Sequence, residues 1–248
     1  MLIENQNEEN YEFISNLGKQ DIKEFLKKVV IGKWSVNPNT GLVDVDGDVD
    51  MSRMKFNRMP IKFTKSDKEI DYNDNILTTL LRAPLSKIPV KFGKVTGDFD
   101  CGYNKLTSLK GSPQSVGGDF DCGINQLTNL EGSPQSVGGS FYCYESKLTS
   151  LKGAPESVGG DFNCNHNKLT NLVGSPKSVG GKFYCYGNKL TSLEGAPNSI
   201  GDEFVIDLGI IDKKYRHIII LEIEEMIERG IKINNPDKYY YPYRKSIV

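Results

Sequence analysis

Five cysteines, Cys101, Cys122, Cys143, Cys164 and Cys185, stand 21 residues apart, and several of the phenylalanines two positions before them are flanked by aspartate. Thiols can pair, bind metal or act as nucleophiles, and close carboxylates can hold cations or move protons. Here the spacing argues for something plainer. No C-x-x-C pair occurs, and cysteine metal sites usually use such pairs. In stacked parallel strands ~4.8 Å apart, successive Cβ vectors run side by side, which suits a disulfide poorly. The row reads as small apolar filler, and five buried free thiols point to a reducing compartment. The two histidines, His166 and His217, belong to no nucleophile–base arrangement, and His166 is expected on a loop, solvated or packed. "GGDFD" resembles the calcium repeat G-G-x-G-x-D, but Phe120 replaces its third glycine and the period differs. The expectation is a non-enzyme with no cofactor and no metal.

A repeat positions these residues. Phe99, Phe120, Phe141, Phe162, Phe183 and Phe204 keep the 21-residue interval; so do Leu106 and its equivalents to Leu190, Leu109 to Leu193, Pro113 to Pro197, and Val116 to Ile200. Degenerate copies extend the frame backward through Val49, Met51, Met54, Phe56 and Met59, then Ile70, Tyr72, Asn75, Leu77 and Leu80. An insertion of about eight residues follows before Leu85 and Ile88 re-enter the frame. This predicts roughly eight turns between Leu42 and Leu208. One copy is too short to bury its own apolar face, so copies must stack. Phe and Cys, two apart, point inward from a short strand while their neighbours point out. The asparagine three after Cys (Asn104, Asn125, Asn167, Asn188) is placed to bond backbone groups of the adjoining turn, and Ser146 interrupts that ladder. "KGSPQSVGG" reads as turn and loop, not helix.

The pattern F-x-C-x-x-N-x-L-x-x-L resembles the leucine-rich repeat, and "GGDFDCGYNKLTSLKGSP" is similar to short repeats common in bacterial and bacteriophage proteins. The likeness covers about two thirds of the chain. It implies a curved solenoid with parallel strands lining one face and a binding role, and it implies no reaction.

The fold expected is therefore a leucine-rich-repeat-like solenoid over 42–210, with parallel strands, loop or turn return segments and a helix capping each end. Residues 1–41 hold the first cap, where Ile22, Phe25, Leu26, Val29 and Val30 fall at helical spacing before Gly32. Residues 211–248 hold the second, a helix from about Asp212 to Arg229 with Ile219, Ile220, Ile223, Met226 and Ile227 as its stripe, then a tyrosine-rich tail. Capping is one role for that helix; a homo-oligomer interface, with the tail, is the other. A net charge of −1 gives no global pull toward nucleic acid or anionic membrane. With no apolar run of membrane length and no leader pattern, the chain is expected to be cytoplasmic, in the host cytoplasm if viral.

Function is legible in the outward positions. Before Phe stand Asp48, Glu69, Asp98, Asp119, Ser140, Asp161 and Lys182. Between Phe and Cys stand Asp50, Asp71, Asp100, Asp121, Tyr142, Asn163 and Tyr184; after Cys come Ser52, Asn73, Gly102, Gly123, Tyr144, Asn165 and Tyr186. Like charges ~5 Å apart cost on the order of 0.8 kcal/mol per pair even in water, less in salt. Repeat duplication could copy that cost without selection. The alternative is a binding face on which Asp48, Asp50, Asp71, Asp98, Asp100, Asp119, Asp121 and Asp161 attract a partner protein with a basic surface. Tyr142, Tyr144, Tyr184 and Tyr186 would anchor it.

Overall fold

The computed structural model describes residues 19–52 and 84–234. The chain enters through helix α1 (Lys19–Val29), strand β1 (Val30–Val36) and the long strand β2 (Val43–Asp50). Two series of short strands follow. One is β3 (Phe92–Val95), β5 (Ser115–Val116), β7 (Ser136–Val137), β9 (Ser157–Val158), β11 (Ser178–Val179) and β13 (Ser199–Ile200). The other is β4 (Phe99–Asp100), β6 (Phe120–Asp121), β8 (Phe141–Tyr142), β10 (Phe162–Asn163), β12 (Phe183–Tyr184) and β14 (Glu203–Val205). Helix α2 (Lys213–Glu228) and strand β15 (Lys232–Asn234) end the described chain. Each series is a parallel ladder, and β2 joins them, its first half pairing with β3 and its second half with β4. The result is a parallel β-solenoid of about five turns with a helix at each end.

The repeat explains the stack. Phe99 through Phe204 are fully buried and stack ring on ring, 5.0–5.6 Å between centroids. Each such pair adds about 0.5–1.5 kcal/mol beyond its burial. The five cysteines are buried free thiols, and Cys122, Cys143, Cys164 and Cys185 donate through Sγ to a carbonyl of the next turn at 3.2–3.6 Å. Burial pushes their acidity far out of the reactive range. The asparagine ladder forms as its position implied. Asn125 donates to the carbonyls of Cys101, Cys122 and Gly123 at 3.0–3.2 Å and accepts from Leu106 N–H at 2.9 Å. Asn104, Asn167 and Asn188 repeat the arrangement.

Three expectations need correction. The stretch read as turn and loop carries the second strand ladder, because Val116, Val137, Val158 and Val179 point inward and pair in register while Ser stays outside. Strand β2 hydrogen-bonds directly to the turn at 92–100, so no turn lies between them. Met51 and Leu85 act as one turn: Asn104 bonds the Met51 carbonyl and the Leu85 N–H, as Asn125 bonds those of Cys101 and Leu106. These residues are 34 positions apart where Cys101 and Leu106 are five apart. The repeats read at Phe56–Met59 and Ile70–Leu80 fall in 53–83, outside the described residues. Finally, α1 ends at Val29, and Val30 opens β1, antiparallel to β2. Gly32 is no helix stop: it faces Gly47 across the pair, both at φ near +136°, where a Cβ on either would overlap the other strand's backbone.

Each cap combines a helix with a strand. At the N-terminal end, α1 buries Ile22, Phe25, Leu26 and Val29 while β1 covers the edge of β2. At the C-terminal end, β15 takes the place of a next Phe strand, Phe204 opposite Ile233. Glu222 of α2 accepts from Leu193 N–H at 2.7 Å, a bond the next turn's carbonyl supplies to Leu130 and Leu172. Among the described residues no helix is long and apolar enough to cross a membrane.

Candidate functional site

The outward rows of the Phe ladder divide into two kinds of residue. In the row before Phe, each side chain reaches along the stack to the backbone of the next turn. Asp48 Oδ1 accepts from Asp98 N–H (2.9 Å), Asp98 from Asp119 (2.7 Å), Asp119 from Ser140 (2.6 Å), Ser140 Oγ from Asp161 (3.1 Å) and Asp161 from Lys182 (2.7 Å). These carboxylates are structural with one oxygen. They also explain the second glycine of each "GG": a Cβ on Gly118, Gly139 or Gly181 would overlap the carboxylate of Asp98, Asp119 or Asp161. Lys182 closes the row with an ion pair to Glu203 at 2.9 Å.

In the row after Phe, each acidic side chain folds back on its own turn. Asp50 Oδ1 accepts from Ser52 N–H (3.0 Å), Asp100 from Gly102 (2.8 Å) and Asp121 from Gly123 (2.7 Å). Asn163 makes the same bond to Asn165 N–H at 3.1 Å. Asp50, Asp100 and Asp121 are register partners on successive strands, so their carboxylates stack. Asp71 lies outside the described residues, and with Asp50 paired directly to Asp100 this row has no turn for it between them.

Asp121 is the most perturbed member. Its carboxyl is pushed up to about 7, first by burial and then by Asp100 and Asp119, against the pull of the Gly123 N–H. Beside it the Tyr144 ring lies across Gly123, 2.8 Å from where a Cβ would stand. The Tyr144 hydroxyl is held above its usual acidity range by burial, then by Asp121 and a hydrogen bond with Tyr103. The tyrosines expected to project outward are half-buried. Tyr186 packs edge-on against His166, centroids 5.1 Å apart. On the turn between Tyr144 and Tyr186, Asn165 is buried with Oδ1 unpartnered among the described residues.

Tyr103 was not among the residues singled out from sequence. It belongs to a further outward row, Tyr103, Ile124, Glu145, His166 and Gly187, and all five adopt positive φ between 47° and 70°. The 21-residue interval would have found that row. The fold places Tyr103 against Tyr144 by turning it left-handed.

Within the described residues no group of three or more His, Cys, Asp or Glu side chains is arranged to hold a metal ion. Comparison with protein-family models, with curated proteins and with solved structures returns no match. The face offers stacked carboxylates on one side, half-buried tyrosines and amides on the other, and the Asp121–Tyr144 contact where they meet.

Proposed function

We propose that this protein is a non-catalytic binding protein, and that the outward rows of its Phe ladder engage a partner protein with a basic surface. One observation supports this above the rest. Asn163 makes the backbone bond that Asp50, Asp100 and Asp121 make, so an amide satisfies the fold where three stacked carboxyl groups stand. Elsewhere two rows set opposite charges together, Glu131–Lys152 (2.6 Å) and Glu156–Lys177 (3.0 Å), while Lys147, Lys168 and Lys189 form a like-charged row of their own. An acidic stack whose charge the backbone bond does not require suits a cationic ligand.

The carboxylates steer and the tyrosines hold. Acidic rows speed encounter with a basic surface and lose that effect as salt rises. Tyr142, Tyr144, Tyr184 and Tyr186 are already partly ordered, so they bury area at small further entropic cost and set the dissociation rate. The leucine-rich-repeat-like pattern and its likeness to phage repeats suit a phage protein acting on a host factor in the cytoplasm.

The test is capture of partners from the source cell with the wild-type chain, followed by surface-exchange kinetics. Changing Asp100 and Asp121 to Asn should slow association about tenfold at low salt and much less at high salt. Changing Tyr144 and Tyr186 to Ala should speed dissociation with little change in association. A captured partner indifferent to both double variants places the binding face elsewhere.

A further inference from the structure

Helix α2 has two faces, and capping uses only one. Ile219, Ile220, Ile223 and Met226 are buried against the solenoid. Glu222 is held by Ser192 Oγ at 2.6 Å and Leu193 N–H at 2.7 Å, which fixes the helix's rotation. That rotation leaves Ile218 (46% exposed) and Leu221 (44% exposed) on the outer side. They are the middle of a stripe on one helical face, Lys214, Ile218, Leu221 and Glu225, with both charged residues exposed. The stripe is cationic at one end, apolar at its centre and anionic at the other.

The end turns of the helix carry charges opposed to its dipole, although Asp212 caps the N-terminus and Arg229 the C-terminus. Its first turn holds Lys213 and Lys214 and no acid, and its last turn holds no base. The helix dipole favours the reverse, acids at the N-terminal end and bases at the C-terminal end, by about 0.3–1 kcal/mol per charge. Negative charge brought beside Lys214 and positive charge beside Glu225 would add to what Asp212 and Arg229 supply.

We propose that this face of α2 pairs with the same face of a second copy, antiparallel, to form a two-fold symmetric dimer. With the axis between Ile218 and Leu221, Ile218 of each copy meets Leu221 of the other, and Lys214 of each meets Glu225 of the other. The anionic end of one helix then lies beside the cationic end of its mate, for side chains and dipoles alike. A parallel arrangement would set Lys214 against Lys214. Single exposed aliphatic residues are ordinary on protein surfaces; here two adjoin on one helical face between opposite charges. Among the described residues Lys214 makes exposed contacts, to Asp212 at 3.7 Å and to Tyr215, which it can exchange. The stripe is short, so the dimer is weak and concentration-dependent. This inference is independent of the binding face on the Phe ladder.

Sedimentation equilibrium on the full chain from low to high micromolar concentration tests it, with melting temperature as the control for folding. The wild type should show a monomer–dimer equilibrium. Ile218→Glu with Leu221→Glu should be monomeric throughout and melt no lower than the wild-type monomer. Lys214→Glu and Glu225→Lys should each weaken the dimer about tenfold, and combining them should restore it, because the exchanged charges still oppose. A wild-type chain monomeric at every concentration overturns the proposal, as does a dimer that survives the two glutamates or a double exchange that fails to restore. A monomeric wild type whose double-glutamate variant melts lower would assign the face to other residues of the same chain.

Discussion

The early and late turns share one backbone and differ in what they hang on it. In the early half, Asp50, Asp100 and Asp121 stack in one row, after Val49, Phe99 and Phe120; in the late half, Tyr142, Asn163 and Tyr184 hold the same register positions. At that position Asp121 and Asn163 alike accept from the N–H two residues on, and Tyr142 and Tyr184 show that the strand also forms with a ring there. The row before Phe shows the same equivalence, since Ser140 Oγ serves where Asp98 and Asp119 serve elsewhere. Hydrogen bonding therefore accounts for an oxygen at these sites and leaves the charge as surplus. That surplus separates the halves.

The largest effects should be those blind to the comparison. Asn125 lies in the early half and Asn188 in the late half, and each knits two turns through buried amide bonds. Replacing either with Ala strands several buried backbone groups and should cost about 3 kcal/mol or more, equally in both halves, by urea unfolding. A marked difference between them would mean that the halves differ in the backbone after all.

Next in size is the charge itself. The Asp121 carboxyl moves from an ordinary value of 3.8 to about 7 in the fold. Between those values the native chain keeps a proton that the unfolded chain has released. The contribution of Asp121 to stability is therefore greatest at the acid end of that window, is lost as pH rises toward 7, and is flat above it. Asp121→Asn should remove this slope and raise stability at pH 8 by about 1–2 kcal/mol, after allowance for partial solvent exposure. Denaturation at pH 5 and pH 8 would show it, and a slope unchanged by the substitution would break the claim that this carboxylate carries the surplus.

Smaller still is the effect at the junction of the halves. Ser146 replaces the ladder asparagine, and its Oγ accepts from Asn125 N–H at 3.2 Å. Asn167 shows what an asparagine does there, accepting from both Ser146 and Leu148 N–H while donating to carbonyls on two turns. Ser146→Asn should stabilise by about 1 kcal/mol. No gain in melting temperature would mean that the junction cannot accommodate the amide. The smallest effect is at the left-handed position, where the early half has β-branched Ile124 at φ 52° and the late half has Gly187 at φ 70°. Ile124→Gly should gain about 0.5–1 kcal/mol in thermal unfolding by removing a strained conformation, while binding through the Phe ladder stays unchanged.

The sequence by itself determined what repeats because it repeats. Phe, Cys, Asn and the two leucines recur at one interval, so the interior of a turn, the amide ladder and the buried thiol row could be read from types and spacing alone. The two helices were also legible, since their apolar stripes are local patterns of 3.6-residue period. What the tertiary structure decided is where one turn meets something unlike itself. Nothing local marks Met51 and Leu85 as parts of one turn, because their relation exists only through Asn104 on the next. Val30 of β1 reads as helix and β15 does not read as a strand, because a strand that closes an edge is defined by the partner whose backbone groups it satisfies. The outward aspartates could be placed but not interpreted. Whether a carboxylate faces solvent or reaches the next turn's N–H depends on a neighbour 21 residues away, and the ring of Tyr144 reaches Asp121 only after the solenoid has wound.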